Sequence, residues 1–210
     1  MATTSSVRRR LATLDSRAVA LFLGLELLGV AGYYLLGPAD IEQPRYALYP
    51  WIWINLGLLA VWRTDPLPAS GRARLLAGAL AGGYVLLLAW LAGLVALDGH
   101  SHGLSGFVVT MSAPGWGPRV SYVAGGFHVS VIPYLTVGYL ALGYLLYAAV
   151  LRARALSLAG LLGVGSCLSC AFPVILGGVG AALSPAVASV AIDLSTAAFV
   201  VTVGLLWRAT

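Results

Sequence analysis

LLAGALAGGYVLLLAWLAGLVAL, residues Leu75–Leu97, carries no charged side chain and is bracketed by Arg72 and Arg74 before it and Asp98 after it. At about 1.5 Å of rise per residue, roughly twenty apolar residues in a helix cross the ~30 Å hydrocarbon core of a bilayer. The run therefore predicts a transmembrane helix. Five other stretches read the same way: Arg17–Gly37, Ala47–Trp62, Val129–Leu151, Ala155–Leu183 and Ala186–Trp207. The expected fold class is all-α, a polytopic transmembrane helical bundle of about six spans with N-in/C-in topology. Its expected location is the cell membrane, multi-pass. A cytoplasmic tail over residues 1–16 would precede a single transmembrane domain over residues 17–210, with an extracytoplasmic loop at about residues 98–128.

Composition agrees. Of 210 residues, 60% are hydrophobic and only 9% charged, with a mean hydropathy of +0.93, whereas soluble domains carry about 25% charged residues. The formal charge of +5 does not indicate a nucleic-acid partner. All twelve basic residues are arginines, set in short clusters between apolar runs rather than along one face. The absence of lysine reads as a codon bias of the source genome. With the first segment entering from inside, ten arginines fall on cytoplasmic segments (Arg8, Arg9, Arg10, Arg17, Arg63, Arg72, Arg74, Arg152, Arg154 and Arg208) and two, Arg45 and Arg119, on the other side. That asymmetry is the positive-inside pattern. Tyr33, Tyr34, Trp51 and Trp53 are expected at the outer boundary, and Trp62, Tyr147 and Trp207 at the inner one. The arginine-rich start faintly suggests a signal sequence, but Glu26 inside the run and the lack of a small-residue cleavage site favour a retained helix.

The exceptions to greasiness carry the chemical information. Glu26 and Asp193 place carboxyls within predicted spans, at a cost of roughly 2.5–3.5 kcal/mol on insertion scales. Each is either a group that handles protons or cations, or a neutral acid hydrogen-bonded for packing. For Asp193 the expected partners are Ser195, Thr196 or a group of the fifth span. Asn55, and Gly78 with Gly82, read as helix-packing devices. In SCLSCAFP (Ser166–Pro173), Cys167 and Cys170 are three apart and share a helix face. Pro173 should kink that helix by removing a donor and clashing with the carbonyl of Ser169. Two readings stand for this thiol pair: a site for a soft metal or redox exchange, or small hydrophobes beside an ordinary kink. His100 and His102, in DGHSH, together with His128 and Asp98, could bind a transition metal or be solvated loop residues. Leu104–Met111 would lie on the membrane surface or re-enter, and APGWGP marks a turn. Because Ser184 and Pro185 leave almost no loop, the fifth and sixth spans should form a hairpin that gathers Cys167, Cys170, Pro173 and Asp193.

YPWIWINLGLLAVWRT, GWGPRVSY, SCLSCAFPV and DLST together resemble a family of small polytopic membrane proteins of halophilic archaea, which implies a source but no activity. The segment around Cys170 and Pro173 is similar to the transmembrane thiol motif of cytochrome-c-biogenesis thiol–disulfide transporters, although both cysteines here sit in one helix. The same stretch resembles mercuric-ion transport proteins, which usually have fewer spans and adjacent cysteines. No nucleotide loop, nucleophile elbow or zinc-protease helix occurs, which argues against a primary pump or a hydrolase. Three readings remain: a small transporter-like component, a structural or assembly subunit of a larger membrane complex, and an intramembrane thiol–disulfide relay. The expected partners are the lipid bilayer and other membrane proteins or further copies of the chain.

The arginine distribution generates a direct test. A reporter active only outside the cytoplasm, fused after Thr210, is expected to stay dark, and a bright fusion reverses the orientation.

Overall fold

A computed structural model describes residues 16–36, 44–97, 106–112, 114–156 and 185–209. Helices α1 (Ser16–Leu36), α2 (Pro44–Arg63) and α3 (Gly71–Leu91) are followed by strands β1 (Val95–Leu97), β2 (Gly106–Thr110), β3 (Arg119–Ala124) and β4 (Phe127–Val131), then by helices α4 (Pro133–Leu156) and α5 (Pro185–Ala209). The four strands form one antiparallel sheet in the order β1-β4-β3-β2. The all-α, six-span expectation is therefore wrong, and it fails in a specific region. The helix expected over Leu75–Leu97 stops at Leu91, and its last three residues are β1. The helix expected from Val129 begins at Pro133, because Val129–Val131 complete β4. The outer loop holds β2, β3 and the start of β4, and most of its Leu104–Met111 piece is the strand β2. Among the described residues, two helical stretches, Gly71–Leu91 and Pro133–Arg152, are long and apolar enough to cross a membrane.

Local chemistry explains the sheet. RVSYVA and FHVSV alternate β-branched or aromatic residues with polar ones, a period-2 pattern that suits a pleated strand. Between them lie Gly125 and Gly126, both with positive φ (53° and 88°), and Ala124 pairs with Phe127 across the turn. A two-residue hairpin loop of this kind needs left-handed backbone at both positions, which glycine supplies without a Cβ penalty.

The core sits where α2, α4 and α5 meet. Trp53 is 2% exposed and stacks on Phe199 of α5, with ring centroids 4.0 Å apart and planes 8° from parallel. Tyr134 and Tyr139 of α4 meet the same indole edge-on at 5.6 and 5.9 Å. A Cβ at Gly138 would lie 2.2 Å from the Trp53 ring, so α4 must present glycine there. Gly143 repeats the device against Val85 of α3, where an added Cβ would meet a methyl at 2.4 Å. Gly78 and Gly82, by contrast, have nothing described within 4 Å, so no close helix approach uses them among the described residues.

The bundle has two unlike ends. At one, Tyr144 Oη donates to the carbonyl of Thr64 (2.9 Å), Arg152 Nη2 to that of Asp65 (3.3 Å), and the Arg63 guanidinium lies 5.5 Å from the Trp207 ring centre. At the other, the segment before β3 packs on Pro50 of α2 and on the first turn of α4. Gly115 has φ +85°, and a Cβ there would sit 2.2 Å from Pro50, so both backbone and space demand glycine. Tyr134 N donates to the Gly115 carbonyl (3.2 Å), and the Trp116 ring packs on Tyr134 at 4.7 Å. The turn expected in APGWGP is thus present and braces two helices.

Replacing Gly138 with alanine is expected to destabilise the protein by about 1–3 kcal/mol, the usual cost of overpacking. Gly82→Ala should be neutral or stabilising by up to about 1 kcal/mol, because a helix gains and nothing clashes. Thermal unfolding of the two variants in mild detergent, followed by tryptophan fluorescence, measures the difference. Equal midpoints would mean that Trp53 does not need the empty space at position 138.

Candidate functional site

Helix α2 is the hub of the polar groups within the bundle. Its Asn55 side-chain amide donates to both carboxylate oxygens of Glu26 on α1, at 3.0 and 3.2 Å, and also reaches the Trp51 carbonyl at 3.1 Å. The Tyr49 hydroxyl donates to the Asp193 carboxylate on α5. The Trp53 indole N–H donates to Thr196 Oγ1 on α5 at 3.2 Å. Thus both carboxyls singled out in the sequence are held by neutral donors from one helix. The partners expected for Asp193 on its own helix are otherwise engaged: Ser195 Oγ donates to the Ile192 carbonyl at 2.9 Å, and Thr196 accepts from Trp53. Tyr49 escaped the sequence reading because a tyrosine near a predicted helix end reads as a boundary residue.

Glu26 lines a cleft of about 300 Å³ between α1, α2 and the turn before β3. Glu26, Gly29, Val30 and Tyr33 form its α1 wall, at the i, i+3, i+4, i+7 spacing that puts residues on one helix face. Pro50, Trp51 and Ile54 form the α2 wall, and Pro114 with Gly115 closes the sheet end. Tyr33 also touches that end: its hydroxyl lies 3.9 Å from Met111 Sδ, and a Cβ on Gly117 would sit 2.8 Å from it. Apart from Glu26 the lining is thus aromatic and apolar. No arginine or histidine lines the cleft among the described residues. Among the described residues that line it, Glu26 is the one with a formally charged side chain.

Of the three histidines singled out in the sequence, His128 alone lies among the described residues. His128 lies on β4, where its Nε2 is 2.9 Å from Ser130 Oγ. Ser130 in turn accepts from Arg119 Nε and Nη2 (3.3 and 3.1 Å) and sits 2.7 Å from Ser121 Oγ. This cluster ties β3 to β4. No group of three or more potential metal-ligating residues occurs among the described residues. His100, His102, Cys167, Cys170 and Pro173 lie outside the described residues, as does the fifth-span arm of the expected hairpin, from residue 157 to 184.

The whole chain, residues 1–210, matches a family of unknown function (DUF7546), and the protein belongs to that family. No curated protein and no solved structure matches it.

The Glu26–Asn55 pair can be measured by a double-mutant cycle. Asn55→Ala leaves a half-buried carboxylate without its amide donor, so it should cost more in the wild-type background than beside Glu26→Ala. Side-chain hydrogen bonds between membrane helices couple by about 0.6 kcal/mol on average and up to about 2, and the coupling here is expected in that range. Additive losses of unfolding stability in detergent would show that the pair does not hold α1 to α2.

Proposed function

We propose that this chain is a multi-pass membrane protein that binds a small cation at Glu26, as part of a transporter-like component. The single observation carrying the reading is a carboxylate that lines a cleft and is held by a neutral amide, with no cationic partner among the described residues. A structural carboxyl is expected to be paired or sealed off; a cleft-facing one can exchange its counter-ion. Carboxylate plus the Trp51 and Tyr33 rings suits an alkylammonium ion, since aromatic faces attract cations within about 6 Å. In a low-dielectric site the carboxylate supplies the attraction, and the rings replace part of the cation's water.

The membrane setting rests on the helix surfaces. Within α3's apolar window 17% of residues are buried, against 61% within α4's. A soluble core helix would be mostly covered, whereas α3 turns leucines such as Leu75 and Leu86 outward. Helix α1 does the same with Leu21, Leu25 and Leu28. Arg72 and Arg74 open α3, and Arg63 and Arg152 lie at the same end of the bundle, opposite the sheet. That distribution agrees with the positive-inside rule. A second reading, an assembly subunit, is favoured by the open glycine positions Gly78 and Gly82 on α3.

Binding is tested on the full chain in detergent, using tryptophan emission as tetramethylammonium chloride is added against sodium chloride of equal ionic strength. A saturable change is expected that is lost in Glu26→Gln, weakened in Trp51→Phe and kept in Asp193→Asn. If Glu26→Gln binds tetramethylammonium as the wild type does, the cleft is not the site.

A further inference from the structure

Alternate residues of a strand point to opposite faces, and directly paired residues share a face. The register therefore sorts the sheet's side chains. Phe107 pairs with Tyr122, Tyr122 with Val129, and Val129 with Val95. Val109 pairs with Val120, and Val120 with Val131. Phe127, two residues before Val129, belongs to the same face. That face carries no charged or amide side chain. The opposite face carries Thr110, Arg119, Ser121, His128 and Ser130, the last four joined by hydrogen bonds.

A one-sided sheet normally turns its apolar face to the core. Here that face is open: Phe107 is 77% and Val109 60% exposed, and Val120, Tyr122, Phe127 and Val131 are each at least a third exposed. A contiguous exposed apolar surface marks a contact with another phase or molecule.

We propose that this face lies in the interfacial layer of the bilayer, with the hydrogen-bonded Arg119–Ser130–His128 face turned away from the lipid. The proposal rests on the membrane reading above and adds a second mode of membrane contact to it. Tether length selects lipid as the occupant. β1 starts four residues after α3 ends, and β4 ends two residues before α4 begins. At no more than about 3.6 Å per residue, those strand ends lie within roughly 14 and 7 Å of the two helices that are long and apolar enough to span. The headgroup layer on each side of the hydrocarbon is about 5–8 Å thick, so the end of β4 that leads into α4 is held at that layer and the sheet extends from it. Its chemistry fits that depth. The face is uncharged and carries Phe107 and Tyr122, whose rings lie 4.8 Å apart, together with Phe127. Aromatic side chains favour the interface, and amphipathic helices bind there by burying an apolar face in the same manner.

The test uses the full-length chain with Cys167→Ser and Cys170→Ser, carrying one environment-sensitive fluorophore on Val109→Cys, Phe127→Cys, Thr110→Cys or Leu80→Cys. Leu80 reports the outward face of α3, and Thr110 the polar face of the sheet. Each labelled protein is placed in phosphatidylcholine nanodiscs holding one copy, with brominated acyl chains as the lipid quencher and iodide as the aqueous one. Labels at positions 109, 127 and 80 are expected to be quenched by brominated lipid and shielded from iodide, with 110 the reverse. If 80 is quenched by lipid while 109 and 127 are reached by iodide, the sheet proposal falls and the membrane reading stands. If 80 is not quenched by lipid either, the membrane reading itself fails. Shielding at 109 and 127 without lipid quenching would mean that another part of the chain covers the face. Shielding seen only in discs holding two copies would assign the face to a second copy. Either of those two outcomes overturns the proposal.

Discussion

The Trp53 ring occupies the space that any side chain at position 138 would need. That exclusion fixes how closely α2 and α4 approach, and the stacked Phe199 carries the same constraint to α5. Both rings are almost wholly buried, and losing either would remove a large apolar contact and leave a cavity, a change of about 3–5 kcal/mol in water-soluble cores. The indole N–H finds Thr196, so the packing does not strand a donor away from water. Once α2 is set at this depth and rotation, Tyr49 reaches Asp193 and Asn55 reaches Glu26. The position of both carboxyls therefore descends from an indole packed on a glycine.

How much of this was legible beforehand follows from what each signal averages over. The helices were readable, because long apolar runs have few alternatives. Expected and observed limits differ by no more than a few residues for α1, α2 and α5. The sheet was missed because a hydropathy window sums residues without regard to period. VALDG…GFVVT and YVAGGFHVSV are apolar enough to prolong a span, yet their β-branched alternation and the Gly125–Gly126 pair are hairpin signals. Reading Val129 as the start of a helix discarded that alternation. Glu26, Asn55, Asp193 and Thr196 were singled out as exceptional, and the structure engages all four in contacts between helices. Their partners were not legible, since pairing across helices depends on rotation about the helix axis, which apolar runs on all sides do not encode.

Neutral anchoring has a consequence that an ion pair would not. An arginine bound to Glu26 would neutralise it permanently and shed water only as a pair. An amide donor instead holds the carboxyl's position without supplying a positive charge. Asp193 differs in kind: its tyrosine partner comes from the opposite wall of the α2–α5 contact, and it does not line the cleft. Both carboxyls thus tie a helix to α2, and of the two Glu26 lines the cleft.

Helix α1 is the element in which these constraints are thinnest. It packs against no other described element as closely as α2, α4 and α5 pack on one another. Its described polar ties to the rest are Glu26 with Asn55, at mid-helix, and Tyr33 against the turn that packs on α2 and α4. Both ties belong to residues that line the cleft. A cation drawn to Glu26 would compete with Asn55 for the same oxygens and press on the ring of Tyr33. Binding would then be coupled to the attachment of α1, because a ligand shifts a conformational balance by the difference in its contacts with the two states. In the proposed site the carboxylate that would attract the cation is the same group that ties α1 to α2, so occupancy and helix position would not be independent variables.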